Sequence, residues 1–159
     1  MPTKAHAQSI IKNLSASGET VSVAESLTGG GLGHALTQIP GASQVFIGGI
    51  IAYTEDVKVN LLGVPLTLID QFTVVSEEVA VAMANGALEK FGTTWAISTT
   101  GIAGPGDYLG IREGTVWIAI AGPINQTLQL TLDSGRDGVR QGAISSAIGN
   151  FARILSYRT

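Results

Sequence analysis

Twice in this 159-residue chain an apolar, β-branched run breaks off directly into a polar, glycine-rich turn. TVSVA (Thr20–Ala24) passes into ESLTGGG, and WAISTT (Trp95–Thr100) passes into GIAGPG. A run of that composition reads as a buried strand, and glycines at its end allow a sharp turn or a close approach to the backbone. Strands that leave a sheet in this way and continue into helices constrain the chain to an α/β architecture, in which ligands bind where strands end and loops begin.

The rest of the pattern fills in that frame. Ala5, Ile10, Ile11 and Leu14 fit a helix over Thr3–Ser17 that stops at Gly18, and a second helix is expected at about Gly30–Gln38, closed by Pro40-Gly41. VFIGGIIAY (Val45–Tyr53) reads as a buried strand, and TEDVKVNLLGV as a helix with Glu55 and Asp56 in its first turn and Lys58 one turn in. SEEVAVAMANGALEKFG is the clearest helix, with Ser76 as N-cap and Ala80, Ala84, Leu88 and Phe91 on one stripe. GTVWIAIAG and QTLQLTL pair as an antiparallel hairpin, and a last helix runs from about Asp137 to Leu155. The expected fold is a single three-layer α/β/α domain with a mixed sheet, spanning residues 1–159 without repeat or linker.

Composition removes several classes of function. The net charge is −3 and the nine Lys and Arg are dispersed, so no basic stripe awaits a nucleic acid. The absence of cysteine excludes disulfide and thiolate chemistry, and His6 and His34 lack ligand-like spacing, so no metal site and no cofactor are expected. His34, on an Ala/Leu-rich helix, reads as structural. No segment approaches the ~20 apolar residues of a membrane span, and the N-terminus lacks a secretory core, which makes the cytoplasm the expected location.

Three polar clusters fall at strand ends: Glu25-Ser26 with Thr28, Gly29 and Gly30; Tyr53 with Lys58; and Thr99-Thr100-Gly101 with Gly104. Either Ser26 or Thr28 is a helix N-cap, or Ser26 is a nucleophile, which needs a base that no histidine here supplies, and Glu25 is either an acid at the helix start or a polar contact to ligand. Lys58 is the remaining candidate: a solvated surface lysine, or a desolvated one that loses its proton near neutral pH with the Tyr53 hydroxyl beside it. The amides of Gly101, Gly104 and Gly106 are suited to face an anion or a carbonyl oxygen, unless the loop is simply a turn. Arg136 and Arg140, four apart near a helix start, are either surface charges or a grip for phosphate.

Taken together, AESLTGG, IPGAS, GGIIAYTEDVK, LLGV, VSEEVA, TGIAGPG and GTVWIAIA resemble, in order and over nearly the whole chain, the C-terminal domain of the CinA family and its stand-alone nicotinamide mononucleotide deamidases. The resemblance implies the same three-layer fold and hydrolysis of the nicotinamide amide to nicotinic acid mononucleotide and ammonia, a step in pyridine nucleotide salvage. By the same resemblance Ser26 is the nucleophile and Lys58 the base, with Tyr53 assisting. Thr100 and Gly101 lie beside the amide, and amides around Thr28 to Gly30 contact the oxyanion or the phosphate. Glu25, Gly104, Arg136 and Arg140 complete the expected substrate contacts, with no metal needed. The larger CinA proteins carry an additional N-terminal domain, which is not expected in this chain.

Leu27 stands where the family usually has cysteine, and Glu55-Asp56 replaces the usual pair after the tyrosine. DYLGIREG and SGRDGVR depart from the family's loops. These changes motivate two competing expectations: a catalytically silent relative that binds a nucleotide or a protein partner through the same pocket, and a deamidase with another amide substrate. The partner otherwise expected is the small-molecule nucleotide itself, and a homodimer is expected from the apolar composition.

Overall fold

The computed structural model describes residues 2–158. In chain order it contains α1 (Pro2–Ser17), β1 (Val21–Glu25), α2 (Gly31–Thr37), a 3-10 turn (Ala42–Gln44), β2 (Phe46–Ile51), α3 (Glu55–Leu62) and α4 (Leu66–Phe72). There follow α5 (Glu77–Phe91), β3 (Trp95–Gly101), β4 (Thr115–Ala121), β5 (Gln126–Thr131) and α6 (Gly135–Ser156). The strands form one sheet in the order β2-β1-β3-β4-β5, parallel across β2-β1-β3 and antiparallel across β3-β4-β5. The carboxyl ends of β1, β2 and β3 therefore share one rim, which is where the three polar clusters lie.

Side-chain size separates the two faces. Val21 and Val23 of β1, Ile97 of β3, and Ile118 and Ile120 of β4 point toward α1, α2 and α6, forming the larger core with Leu14, Leu36, Ile148 and Phe151. On the opposite face, Ala24, Ala96, Ala119 and Ala121 leave room for α5 to press its Ala80, Met83, Ala84 and Ala87 against the sheet. The approach is close enough for the Ser98 hydroxyl to donate to the Ala80 carbonyl oxygen at 2.6 Å. The buried stripe of α5 is thus Val79, Ala80, Met83, Ala84 and Ala87, while Leu88 and Phe91 are only partly buried at its border. Ser76 caps this helix by accepting from the Val79 amide.

Two expectations are corrected. The strand read as buried is the sheet edge: β2 alternates between half-buried and exposed positions, and Ile47 and Ile51 are about half exposed. Its glycines do provide close approach, because a Cβ at Gly48 would lie 2.9 Å from Phe91. Among the described residues, however, no strand covers the outer side. The second correction is α4, which sequence reading left without structure: seven residues after Pro65, with Ile69 packed into the smaller core.

Gly114 ties the start of β4 to the end of β5. Its φ is +86°, and a Cβ there would collide with the Leu132 carbonyl oxygen, while the Leu132 amide donates to the Gly114 carbonyl at 2.9 Å. Gly114→Ala is expected to cost about 1–3 kcal/mol or more, since neither strand can retreat without breaking the ladder. Urea denaturation of the two proteins measures it.

Candidate active site

β1 ends at Glu25, and the backbone then folds tightly before α2 begins. The Ser26 amide donates to the Thr99 carbonyl at 3.0 Å, which ties the turn to the end of β3. Gly29 and Gly30, both with positive φ, bring the chain round: the Gly29 amide donates to the Ser26 carbonyl and the Gly31 amide to the Thr28 carbonyl. Gly30 occupies the N-cap of α2 without any side-chain cap. Glu25 supplies that function from the preceding strand, its buried carboxylate accepting from the Leu32 and Gly33 amides at 2.8 and 3.0 Å. Neither Ser26 nor Thr28 caps the helix. Thr28 is fully buried and bonded to the Thr99 hydroxyl at 2.7 Å, which leaves the Ser26 hydroxyl for other work.

Its partner comes from α3. Thr54 caps that helix through the Val57 amide, and Lys58, one turn in, points into the protein with 2% of its surface exposed. The Lys58 Nζ lies 3.1 Å from the Ser26 Oγ, 2.9 Å from the Ala52 carbonyl oxygen and 3.5 Å from that of Tyr53. Two carbonyls claim two of its protons, so the remaining position, proton or lone pair, faces Ser26. Burial lowers the pKa of Lys58 from 10.5 to about 8, against a smaller opposing influence of the Glu55 carboxylate. A usable fraction of Lys58 is therefore neutral near physiological pH. Replacing Glu55 by glutamine removes that opposing charge. The ionisation of Lys58 is then expected to move to lower pH, read as a leftward displacement of the pH–rate profile.

Ser26 and Lys58 open onto a cleft of about 530 Å³, of the size that holds a small organic ligand. Thr100, Gly101 and Gly104 line it, as do Tyr53 and Arg136. The Thr100 hydroxyl is committed to the Val74 carbonyl at 2.7 Å, so that residue shapes the wall with its hydroxyl turned away. The Tyr53 phenol lies at the rim, where it accepts from the Arg136 Nη2 at 3.2 Å and makes no hydrogen bond to Ser26 or Lys58. Tyr53 meets the pair through its carbonyl instead. Arg136 also donates to the Gly104 carbonyl at 2.7 Å, joining the two walls of the cleft.

Other expected contacts lie elsewhere. Glu25, Thr28, Gly29 and Gly30 do not line the cleft but build the turn behind Ser26. Arg140, one helical turn after Arg136, reaches the back of that turn, donating to the Leu27 carbonyl at 3.0 Å and the Thr28 carbonyl at 3.3 Å. The sequence reading did not assign Glu55 to the site, whereas Asp107 and Tyr108, which also line the cleft, were named only as part of a divergent loop near the ligand. Glu55 was legible in principle, one turn before Lys58 on the same face. Asp107 and Tyr108 belong to the divergent loop, which closes on itself through Gly106 amide to Glu113 carboxylate and Glu113 amide to Asp107 carboxylate contacts. Among the described residues no group of three or more His, Cys, Asp or Glu is placed to hold a metal, and no helix is long and apolar enough to cross a membrane.

Fold and site together define a three-layer α/β/α domain that carries a buried serine–lysine pair on the carboxyl rim of its sheet. The chain belongs to the CinA C-terminal domain family, whose pattern matches residues 3–155. It is similar to a CinA-like protein of Gloeothece citriformis, with 56% identity over 142 residues, or 86% of this chain and 34% of that protein. A CinA-like protein of Prochlorococcus marinus is 49% identical over 154 residues, or 94% and 36% of the two chains. The chain thus spans about a third of the length of the curated relatives it matches. Among solved structures, the competence/damage inducible protein CihA of Agrobacterium tumefaciens superposes with a TM-score of 0.91 at 34% identity, covering 98% of this chain and 96% of that one. The competence damage-inducible protein A (ComA) of Klebsiella pneumoniae superposes with a TM-score of 0.95 at 26% identity, covering 99% of both chains.

Proposed function

We propose that this domain is an amidohydrolase that converts nicotinamide mononucleotide into nicotinic acid mononucleotide and ammonia, with Ser26 as nucleophile and Lys58 as general base. The observation that carries this reading is the 3.1 Å contact between the buried Lys58 amine and the Ser26 hydroxyl on the wall of a ligand-sized cleft. Neutral Lys58 accepts the hydroxyl proton as Ser26 Oγ bonds to the amide carbon. The C–N bond then breaks, Lys58 returns the proton to the departing nitrogen, and ammonia leaves. Water next attacks the Ser26 ester, giving its proton to Lys58, and the acid is released as Ser26 regains a proton. The choice of substrate follows from the family resemblance and is supported by Arg136, whose guanidinium at the rim donates to two neutral oxygens and is free to meet a phosphate as well.

Ammonia release from nicotinamide mononucleotide, followed with a coupled enzyme and matched to the acid formed, tests the proposal. One ammonia per acid is the expected result. Calorimetric binding of the nucleotide without ammonia would instead mark a silent relative, and release from other amides but not this one would move the activity to another substrate.

A further inference from the structure

We propose that Arg140 is a positioning residue for the oxyanion of the reaction, acting through a chain of peptide groups that ends at the Leu27 amide. The inference rests on Ser26 as nucleophile and does not depend on which amide or ester it attacks. Attack on a carbonyl places negative charge on its oxygen, and the donor nearest to hand after a nucleophile on a tight turn is the amide of the next residue. Here that residue is Leu27, which lines the cleft beside Ser26.

The hydrogen bonds of the turn single out that amide. Each carbonyl from Ser26 to Thr28 is engaged: Ser26 by the Gly29 amide at 3.0 Å, Leu27 by Arg140, and Thr28 by both the Gly31 amide and Arg140. Among the described residues the Leu27 amide has no acceptor within the protein. The Thr28 amide has none either, but Thr28 is sealed from the cleft.

A path leads from the guanidinium to Leu27. Arg140 Nη2 donates to the Thr28 carbonyl, and the same peptide plane carries the Gly29 N–H, which donates to the Ser26 carbonyl. That second plane carries the Leu27 N–H. Because a trans peptide holds its N–H opposite its C=O, fixing one end of the chain fixes the other. A positive charge at the start polarises each successive bond in the same sense, making the last amide a stronger donor. Gly29 makes room for the device: a Cβ there would lie 3.3 Å from Arg140 Nη2, at a φ of +57° that side chains rarely adopt. The sequence reading of Arg140 as a phosphate grip is replaced by a role behind the nucleophile.

The test uses p-nitrophenyl acetate, with Ser26→Ala subtracted as background. Ser26 Oγ bonds to the acetyl carbon, p-nitrophenolate leaves, and the hydroxyl proton passes to Lys58. The amplitude of the burst counts competent sites, and its rate constant reports how well the oxyanion is stabilised. Arg140→Met is expected to slow the burst by about 10- to 100-fold at unchanged amplitude, and to lower kcat on nicotinamide mononucleotide similarly with KM within about twofold. Arg140→Lys should recover part of the loss, since it restores charge but not the two-pronged contact. A raised KM at unchanged kcat would return Arg140 to gripping the substrate, and a reduced amplitude at unchanged rate would leave it a purely structural role. Either result overturns the inference. A parent protein that gives a burst but no ammonia loses the proposed substrate while the Arg140 test still reads out; one that gives neither loses the nucleophile and this inference together.

Discussion

Ser26→Ala is expected to lower amide turnover by at least about a thousandfold while the protein remains folded. Among the described residues the Ser26 hydroxyl is the one side-chain group hydrogen-bonded to the buried amine, and its loss removes the bond-forming atom itself. The structural cost is small. Lys58 keeps its Ala52 and Tyr53 carbonyl partners, the Ser26 amide keeps its bond to Thr99, and Glu25 continues to cap α2. A loss of about 1 kcal/mol is the expected scale for one hydrogen bond. Thermal unfolding and steady-state turnover, measured on the same preparation, separate the two effects. A variant that unfolds along with its loss of activity would remove the inference from activity to chemistry.

The second large effect belongs to Lys58. Lys58→Met is expected to lower turnover by roughly 10²- to 10⁴-fold, the range for a general base in place. It also changes how stability depends on pH. In the folded parent Lys58 titrates at about 8, whereas its ordinary value is 10.5, so between these limits the unfolded chain binds more protons and stability rises with pH. Below about 8 both states are protonated, and the burial of the charge is fully destabilising. The difference between 10.5 and about 8 corresponds to roughly 3 kcal/mol. Methionine cannot titrate. The parent should therefore gain on the variant by about 2–3 kcal/mol from pH 7.5 to 10.5, as urea midpoints at several pH values would show. Parallel curves for the two proteins would mean that Lys58 is not perturbed.

The legibility of this chain follows the range of the interactions involved. Helix limits depend on neighbours in sequence, and Gly18, Gly63 and Gly92 each mark a helix end with a left-handed residue. The hairpin of β4 and β5 was equally local. In contrast, the edge position of β2 depends on strand order, and a run such as FIGGII is compatible with either a central or an edge strand. α4 was missed because LTLIDQF carries too short an apolar pattern to distinguish a two-turn helix from a loop.

The site divides in the same way. Ser26 could be placed on a turn, and Lys58 one turn into a helix, but their 3.1 Å meeting joins residues 32 apart in sequence. The burial that lowers the pKa of Lys58 is invisible in the chain. Arg136 and Arg140 show the limit most clearly. Four residues apart on α6, they read as surface charges or as two fingers of one grip, and the helical rise of about 6 Å between them puts one at the cleft rim and the other behind the turn of Ser26. Glu25 was read either as an acid at the helix start or as a ligand contact, and alternation along β1 turns it toward the amides of α2, in the first of these roles.

We propose that Lys58, whose pKa burial lowers to about 8, takes the proton of Ser26 in its neutral form. The most direct measurement is kcat/KM for nicotinamide mononucleotide across pH 6 to 10.5, with ammonia release as the readout. The expected profile rises close to tenfold per pH unit on the acid side and bends to a plateau at about pH 8. A profile that is flat across this range, or that falls as the amine loses its proton, would contradict it and assign Lys58 the part of a fixed cation.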